Sequence, residues 1–248
     1  MNFQRRKQII LEQLNTNGEV DIKKLAVELG ISEITIRRDL NQMANDGMLY
    51  RTHGGAMKVD PLQVPHDFIN KAAKNAEAKD DICRVAAKEI RDGDIIFMDC
   101  GSTVFRLCQF IKNKKIKVIT NSIPVVYELQ NSLVSLNIIG GEFDAERQAV
   151  HGKIADEHIA RYKATKAFLG VDGISRNGLF ANSELEADIT QTLAAHSAKT
   201  YLLCDDSKIG KESYLKFGEL TMINAIITNS KSEELASFKK KGVEVINV

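Results

Sequence analysis

Residues 30–40, with the sequence GISEITIRRDL, decide how the first part of the chain folds. Ser32 is one of the residue types that cap the N-terminus of a helix. From there Ile36 and Leu40 recur at the spacing of a buried helix face, which predicts a helix that begins at Ser32 and runs to about residue 46. Gly30 ends an earlier helix, because glycine is the usual residue at a helix C-terminus. The stretch is therefore predicted to hold the tight turn between two helices.

The residues on either side complete a small domain. A helix is predicted over 3–16, where Asn17-Gly18 ends it, and another helix begins after the capping residue Asp21. After the third helix, residues 48–59 predict a short hairpin that turns at His53-Gly54-Gly55. Three helices and a hairpin in this order predict a winged helix-turn-helix.

With Ile36 and Leu40 turned inward, the opposite face of the third helix is polar. A helix with such a face can enter the major groove of DNA, where arginine side chains read guanine edges and glutamine side chains read adenine. The hairpin residues are predicted to reach phosphates or an adjacent minor groove, whereas Asp39 is expected to be structural, tied to an arginine or a backbone amide. An ordinary solvated helix face is the alternative reading, and the helix-turn-helix order argues against it. The predicted DNA-binding residues are Ser32, Thr35, Arg37, Arg38, Gln42, Arg51 and His53.

Length and charge set the organisation of the rest. The 248 residues favour two domains over one, since about 150 residues per domain is typical. The 34 basic and 33 acidic side chains nearly cancel, which excludes a polycation held to nucleic acid by bulk charge. Two of the three prolines, Pro61 and Pro65, mark a linker. The predicted domains are a winged helix-turn-helix over 1–58, a linker over 59–75, and a larger domain over 76–248.

The larger domain alternates apolar strands with helices. After a helix over about 70–91, helices are expected near 103–113, 123–131, 152–162, 184–198 and 231–241. This alternation is typical of a Rossmann-like α/β domain with a largely parallel sheet. The predicted strands are residues 94–99, 117–120, 135–139, 166–170, 200–204, 225–228 and 243–246.

Small and polar residues follow five of these strands. Ligands of α/β domains bind beyond the carboxyl ends of the strands, so these positions are expected to form one site for a polar anion. Each motif alone is weak, since a Gly-Ser-Thr turn is usually a helix cap and a Gly-Gly pair is usually a tight turn. Glu184 and Glu186 are expected to close over the ligand or to lie on a solvated helix face. The residues predicted to form this anion site are Gly101, Ser102, Thr103, Thr120, Asn121, Ser122, Gly140, Gly141, Lys153, Asp172, Gly173 and Lys208, and the family resemblance described next implies that the anion is an effector.

Two motifs carry a family resemblance. Residues 32–40, SEITIRRDL, and residues 50–56, YRTHGGA, together resemble the DeoR family of bacterial transcription regulators, and the resemblance extends over nearly the whole chain. It implies a repressor of sugar or nucleoside catabolism genes. It also implies that the larger domain resembles ribose-5-phosphate isomerase and senses a phosphorylated metabolite, so that the chain is expected to repress a carbohydrate operon and to leave the operator when a phosphorylated sugar binds.

The resemblance also implies roles for single residues. Ser102 and Thr103 would hold the phosphate, and Lys208 would supply countercharge. Asp172 and Asn121 would read sugar hydroxyls. A homo-oligomer, dimer or tetramer, would present paired recognition helices to double-stranded operator DNA.

Two other functions remain open at this point. The first is a sugar-phosphate isomerase or deaminase, although Asp172-Gly173 is followed by Ile174-Ser175-Arg176 and not by the acidic residues of those isomerases. The second is a DNA-binding architectural protein without a ligand, which leaves the strand-end pattern unexplained. No catalytic residue, metal site or cofactor is predicted, because the five histidines lack ligand spacing. Four cysteines without a C-x-x-C pair and the absence of a long apolar segment predict a cytoplasmic protein that does not bind membranes.

Overall fold

The computed structural model describes residues 2–45, 48–52, 54–58 and 66–248. Within it the chain divides into two compact units, residues 1–76 and residues 77–248. Part of the segment predicted to be a linker, residues 59–65, lies outside the described residues.

The first unit is a helical domain with a small sheet, as the sequence predicted. Asp21 caps the second helix, since its carboxylate accepts a hydrogen bond from the backbone N–H of Lys24 at 3.0 Å. Gly30 ends that helix in a left-handed conformation with φ +65°. The elements are α1 (Phe3–Asn17), β1 (Glu19–Asp21), α2 (Ile22–Leu29), α3 (Glu33–Asn45), β2 (Leu49–Arg51), β3 (Gly55–Lys58) and α4 (His66–Ala73).

The predicted hairpin is β2 paired with β3, and β1 adds a third antiparallel strand on the other side of β3. Three residues are too few for a period-two pattern, so the sequence did not predict β1. Gly55 is required here, because a Cβ atom at this position would lie 1.7 Å from the carbonyl oxygen of Val20. The wing is thereby fixed to the strand that follows α1.

The junction between the units differs from the prediction. Residues 66–73, assigned to the linker, form α4, and the predicted single helix over 70–91 is instead α4 followed by α5 (Ala76–Lys88). The break lies at Asn75, whose φ of +56° is left-handed and cannot continue a right-handed helix. The linker prediction is therefore wrong for 66–73: α4 buries Ala73 in the same apolar core as Leu40.

The second unit is built on a seven-stranded parallel sheet with the order β15-β14-β12-β9-β4-β5-β6. All seven predicted strands are present in it: two have the predicted bounds, and the ends of the other five shift by at most three residues. The inner strands are nearly continuous apolar runs because both of their faces are buried, whereas the two edge strands of the sheet are partly exposed. The strands are β4 (Ile95–Met98), β5 (Lys117–Thr120), β6 (Ser135–Ile138), β9 (Ala164–Leu169), β12 (Ser197–Leu203), β14 (Ala225–Thr228) and β15 (Glu244–Asn247).

Helices connect these strands and cover the sheet. The predicted helix near 103–113 is split in two at Leu107, and the others lie where they were expected. The helices after α5 are α6 (Ser102–Arg106), α7 (Cys108–Ile111), α8 (Ile123–Leu129), α9 (Lys153–Ile159), α10 (Glu184–Ala195) and α11 (Glu234–Lys240).

Five short strands lie outside the main sheet and were not predicted. One pair forms an antiparallel hairpin after β6, and the other three form a small antiparallel sheet after β9. In each of these strands the side chains are either mostly buried or mostly exposed. The strands therefore lack the alternation of polar and apolar residues that predicts a strand from sequence. They are β7 (Glu142–Asp144), β8 (Ala149–His151), β10 (Gly173–Ser175), β11 (Gly178–Ala181) and β13 (Leu215–Gly218).

Candidate DNA-binding and effector sites

The outer face of α3 carries the predicted base-reading side chains. Arg37, Arg38 and Gln42 are exposed, and Arg37 forms an exposed 3.7 Å ion pair with Glu33. An exposed pair of this kind contributes little to stability, so Arg37 can exchange Glu33 for a base edge or a phosphate at small cost. The face is therefore available to DNA.

Ser32 and Thr35 serve the helix itself. The hydroxyl of Ser32 accepts a hydrogen bond from the backbone N–H of Thr35 at 3.2 Å, and the two hydroxyls lie 3.0 Å apart. This is the N-cap that the sequence predicted. The same geometry places both hydroxyls at the N-terminal end of α3, the end from which recognition helices contact bases.

Ile34 was not among the predicted DNA-binding residues, although it lies on the same face. Its side chain is 79% exposed, and it is four residues before Arg38 and eight before Gln42. Residues at this spacing lie one above another along a helix. The sequence contained a signal, since Ile34 departs from the inward-facing set of Ile36 and Leu40.

Asp39 anchors α3 to α1, in agreement with its predicted structural role. Its two carboxylate oxygens accept hydrogen bonds from Nε and Nη2 of Arg6 at 2.5 and 2.9 Å. Both side chains are largely buried, and the hydrogen bond to Asp39 raises the pKa of Arg6. This pair sets the position of the recognition helix on the rest of the domain.

Arg51 does not lie where the prediction required. The side chain was expected to reach DNA, but the residue is 6% exposed, with Nε donating to Oδ1 of Asn41 at 2.8 Å and Nη1 donating to the carbonyl oxygen of Gly55. Its guanidinium thus joins α3 to the wing, because a buried guanidinium needs acceptors and these two are within reach. His53, the other predicted wing residue, lies outside the described residues.

In the second unit, Asp99 joins the carboxyl ends of two adjacent strands. One oxygen accepts a hydrogen bond from the N–H of Cys100 at 2.7 Å, and the other accepts from the N–H of Gly170 at 3.0 Å. Burial raises the pKa of Asp99, the two N–H donors oppose this effect, and the charge of Asp172 adds to it. Gly101 and Gly170 allow these strand ends to approach, since a Cβ on Gly101 would lie 3.3 Å from the Cα of Gly170.

Two lysines and a hydroxyl form a cationic region beside these strand ends. Nζ of Lys79, from α5, donates to Oγ of Ser102 at 3.2 Å. Burial lowers the pKa of Lys79 to about 8; the charge of Asp205 opposes this shift, and the charges of Arg106 and Lys208 add to it. Lys79 and Ser102 are therefore in contact at the end of β4, and the charge of Lys208 is near enough to affect the pKa of Lys79.

Lys208 also lies near a carboxylate, that of Asp172. Its Nζ is 3.9 Å from Oδ1 of Asp172, whose second oxygen accepts a hydrogen bond from the N–H of Asn182 at 2.8 Å. Glu186, at the start of α10, forms an ion pair with Arg147. Burial raises the pKa of Glu186; Arg147 opposes this, whereas Asp172 and Asp99 add to it. Acceptors of this type, held near one another, bind the hydroxyl groups of a polar ligand.

The segment Thr120-Asn121-Ser122 is fully buried and largely occupied by its own turn. Oγ1 of Thr120 accepts from the N–H of Ser122, Oγ of Ser122 accepts from the N–H of Val125, and Nδ2 of Asn121 donates to the carbonyl oxygen of Val150. Within the described part of the chain, Oδ1 of Asn121 has no hydrogen-bond partner. Asn121 therefore has an unused acceptor for a further group, and the hydroxyls of Thr120 and Ser122 accept the hydrogen bonds that hold the turn.

The remaining predicted effector residues are placed by the protein's own packing. A Cβ on Gly141 would lie 2.7 Å from the carbonyl oxygen of His151, and a Cβ on Gly173 would lie 2.5 Å from that of Lys211. Gly140 donates its N–H to Nδ1 of His158 at 3.1 Å, and Thr103 is buried. These glycines serve close approaches within the chain, and sequence alone does not distinguish this from close approach to a ligand.

Lys153 faces solvent. Its side chain is 89% exposed and lies 4.0 Å from Glu157, one turn further along α9. The structure does not bring it to the lysines, hydroxyl and carboxylates at the strand ends.

Sequence reasoning missed Lys79, Asp99, Arg147 and Asp205. Asp99 comes directly after β4 and Asp205 is the second residue after β12, so the rule that selected Ser102 also selects them. Lys79 and Arg147 lie in a helix and a hairpin loop, where no strand-end rule applies. Among the described residues, no group of three or more histidine, cysteine, aspartate or glutamate side chains is placed to hold a metal ion.

Two family models match the chain and together account for both units. The model described as the DeoR-like helix-turn-helix domain matches residues 6–61. The model described as the DeoR C terminal sensor domain matches residues 74–230, which is more than half of the chain. The chain belongs to the DeoR family. As a DeoR-family protein it is a DNA-binding transcription regulator and not an enzyme, as the sequence predicted.

DeoR-family relatives match over nearly the full length. The lactose phosphotransferase system repressor of Lactococcus lactis subsp. lactis is 35% identical over 237 residues, covering 93% of this chain and 92% of that protein. The HTH-type transcriptional regulator FruR of Bacillus subtilis (strain 168) is 30% identical over 240 residues, covering 96% of each.

Solved structures include chains that are similar to part of this DeoR-family chain. Ribose 5-phosphate isomerase A from Methanocaldococcus jannaschii is 17% identical, covers 54% of this chain and 55% of its own, and has a TM-score of 0.41. The predicted fold class, a helix-turn-helix followed by a parallel α/β sensor domain, is confirmed by the family models and the observed sheet. Across the described residues, no helix has the length and apolar character needed to cross a bilayer.

Proposed function

We propose that this regulator represses a carbohydrate operon and is released from its operator by a phosphorylated sugar bound at the strand ends of the sensor domain. The observation that carries the proposal is the division of that site into two parts. Lys79, Ser102 and Lys208 form a cationic part, and Asp99, Asp172 and Glu186 form an acceptor-rich part. A molecule with a phosphate at one end and hydroxyls at the other matches this division.

The names of the relatives support a sugar as the ligand. Several are called repressors of the lactose phosphotransferase system, and two of these cover 93% and 100% of the chain. The words lactose and phosphotransferase in these names are consistent with a phosphorylated sugar, which has the chemistry described for the site.

Repression requires that α3 reach the operator bases. Residues 1–58, the DNA-binding head of each chain, carry nine basic and seven acidic side chains, so charge alone would hold DNA weakly. Affinity therefore depends on base contacts and on two or more heads binding together. We propose a homo-oligomer, a dimer or a tetramer, that spans repeated half-sites. The effector releases it by binding one arrangement of the heads more tightly than the other, and a coupling of about 1–3 kcal/mol changes operator affinity roughly 5- to 150-fold.

The test uses the full-length protein and an operator duplex that the protein selects from random sequences. A thermal-shift panel of glucose 6-phosphate, galactose 6-phosphate, fructose 1-phosphate and inorganic phosphate identifies the sugar that stabilises the protein. That sugar is expected to release the duplex. Ser102→Glu places a carboxylate where the phosphate binds, so this variant should still bind the duplex and should no longer respond. A Ser102→Glu variant that responds like the parent contradicts the proposed site.

A further inference from the structure

His151 is a buried histidine whose ring the protein does not fully satisfy. It is the last residue of β8, it is 1% exposed, and within the described part of the chain neither Nδ1 nor Nε2 has a hydrogen-bond partner. A neutral imidazole has one donor and one acceptor, and burying them unpaired costs free energy. The backbone of Leu185 lies near enough to raise the pKa of the ring, but a single backbone group can serve only one of the two nitrogens. At least one ring nitrogen is therefore left for another group.

Asn121 presents the same kind of atom from the neighbouring segment of backbone. Its side chain is buried, and its Nδ2 donates to the carbonyl oxygen of Val150 at 3.1 Å, while the N–H of Val150 donates to the carbonyl oxygen of Asn121 at 2.9 Å. Val150 directly precedes His151, so the two side chains come from paired stretches of chain. Among the described residues four buried side-chain atoms lack a partner, and three of them belong to Asn121 and His151. Because folded proteins leave few such atoms, their concentration where β5 ends indicates a place for a polar group from outside the chain.

The ring of His151 lies beside the acceptor-rich part of the proposed effector site. Val150 packs in the apolar core, and successive side chains of a strand point to opposite faces, so His151 points to the other face of β8. Its neighbours there include Leu185, in the first turn of α10, and Arg147, in the loop of the hairpin. Arg147 forms the ion pair with Glu186, the residue after Leu185. His151 and Glu186 therefore belong to the same corner of the sensor domain, where the hairpin meets the start of α10.

The charge state of His151 decides which group it suits. Burial lowers its pKa and the charge of Arg147 adds to this effect, whereas the charge of Asp144 and the backbone of Leu185 oppose it. The ring is therefore neutral at neutral pH. A neutral imidazole donates from one nitrogen and accepts at the other, and the free Oδ1 of Asn121 accepts. Neither side chain brings a positive charge for a phosphate, whereas both can exchange hydrogen bonds with hydroxyl groups.

We infer that His151 and Asn121 form a subsite for hydroxyl groups of the effector's sugar, and that His151 determines which sugar phosphates bind. The inference rests on the proposed effector site and adds to it a residue from the hairpin, to which no strand-end rule applies. It separates two ligands. A sugar phosphate reaches this subsite, whereas inorganic phosphate, which resembles only one end of the effector, does not.

The first measurement uses the unaltered full-length protein, isotopically labelled at Cε1 of its histidines, the ring carbon between the two nitrogens. In NMR spectra the His151 signal should shift when the sugar phosphate chosen by the panel above is added, and should stay in place with inorganic phosphate. The signal is the one absent from His151→Gln, or the one left over when the other four histidines are replaced singly. A His151 signal that saturating sugar phosphate leaves unmoved overturns the inference, because the ring then bonds only buried water. A signal that inorganic phosphate moves equally also overturns it.

The second measurement compares affinities of His151→Phe, which keeps a ring of similar size without its nitrogens. Calorimetry should show a Kd for the sugar phosphate raised about threefold to tenfold, the range expected for one or two neutral hydrogen bonds, and an unchanged Kd for inorganic phosphate. His151→Gln keeps a donor and an acceptor and should lose less. His196→Phe is the control, since this half-buried histidine precedes β12, at the amino ends of the strands. Equal loss for both ligands in His151→Phe contradicts a hydroxyl subsite.

The outcomes separate this inference from the proposed function. If a sugar phosphate releases the operator, Ser102→Glu does not respond, and His151 neither shifts nor affects affinity, the subsite is wrong and the effector site stands. If His151 shifts with the sugar phosphate while Ser102→Glu responds like the parent, the subsite stands and the assigned phosphate position is wrong. If no phosphorylated sugar binds, both are wrong.

Discussion

Asp39 of the recognition helix accepts two hydrogen bonds from the guanidinium of Arg6 in α1, at 2.5 and 2.9 Å. The helix that carries Arg37 and Arg38 on its exposed face is therefore held by a residue 33 positions earlier, in addition to its own apolar face. This pair restrains α3 on α1, so the exposed side chains of α3 are held in reproducible positions.

Asp39→Asn is expected to destabilise the helix-turn-helix unit by about 1–3 kcal/mol, because a buried charged hydrogen-bond pair loses one partner. Hydrogen exchange of the α3 amides in the full-length protein measures this locally. Glu33→Gln, which breaks the exposed pair with Arg37, should change protection by less than about 0.5 kcal/mol. Equal effects of the two substitutions contradict the anchoring role.

Arg37→Ala and Arg38→Ala are each expected to weaken binding to the selected operator by about 1–3 kcal/mol, since a bidentate contact to a guanine edge is worth that much. Fluorescence anisotropy with operator variants should show relaxed specificity at one base pair. Arg161→Ala removes an exposed arginine from the sensor unit and serves as the control. Unchanged operator affinity in both α3 variants refutes the recognition-helix assignment.

Ile34 is expected to contact the methyl group of a thymine, because an exposed apolar side chain at the start of a recognition helix gains by leaving water there. Replacing single thymines of the operator by deoxyuridine should weaken binding of the parent at one position, by about threefold to tenfold. Ile34→Ala should lose about the same affinity and become indifferent to that methyl group. Ile154→Ala, an exposed position outside the DNA-binding unit, is the control. If no deoxyuridine changes the parent's affinity, Ile34 does not read thymine.

Arg51→Gln separates a phosphate contact from a structural one. Loss of a phosphate contact lowers the slope of log K against log salt by about 1. Because the Arg51 guanidinium is occupied by Asn41 and Gly55, we expect lower stability of the wing and weaker binding with an unchanged slope. Titrations between 50 and 200 mM salt (about the range in which such slopes are measured) check this expectation. A slope that is lower by about one in the variant would show that Arg51 contacts a phosphate.

The two units differ in how well sequence predicts them. The seven strands of the sheet were predicted because a parallel strand buried on both faces is a continuous apolar run, such as residues 95–98. The break between α4 and α5 at Asn75 was not predicted, because asparagine is tolerated in a helix and its left-handed φ depends on how α4 packs. Strand-end residues such as Ser102 and Asp172 follow from the rule that ligands bind at carboxyl ends.

The sequence by itself determined the family, the helix-turn-helix, the parallel sheet and the polar strand ends, because each depends on residue types at short, regular spacing. Only the tertiary structure decided which of these residues act together. It buried Arg51 against Asn41, turned Lys153 to solvent, and brought Lys79 of a preceding helix to Ser102 across 23 positions of sequence. Contacts between distant residues depend on how whole elements pack, and a local pattern in the sequence carries no record of that packing.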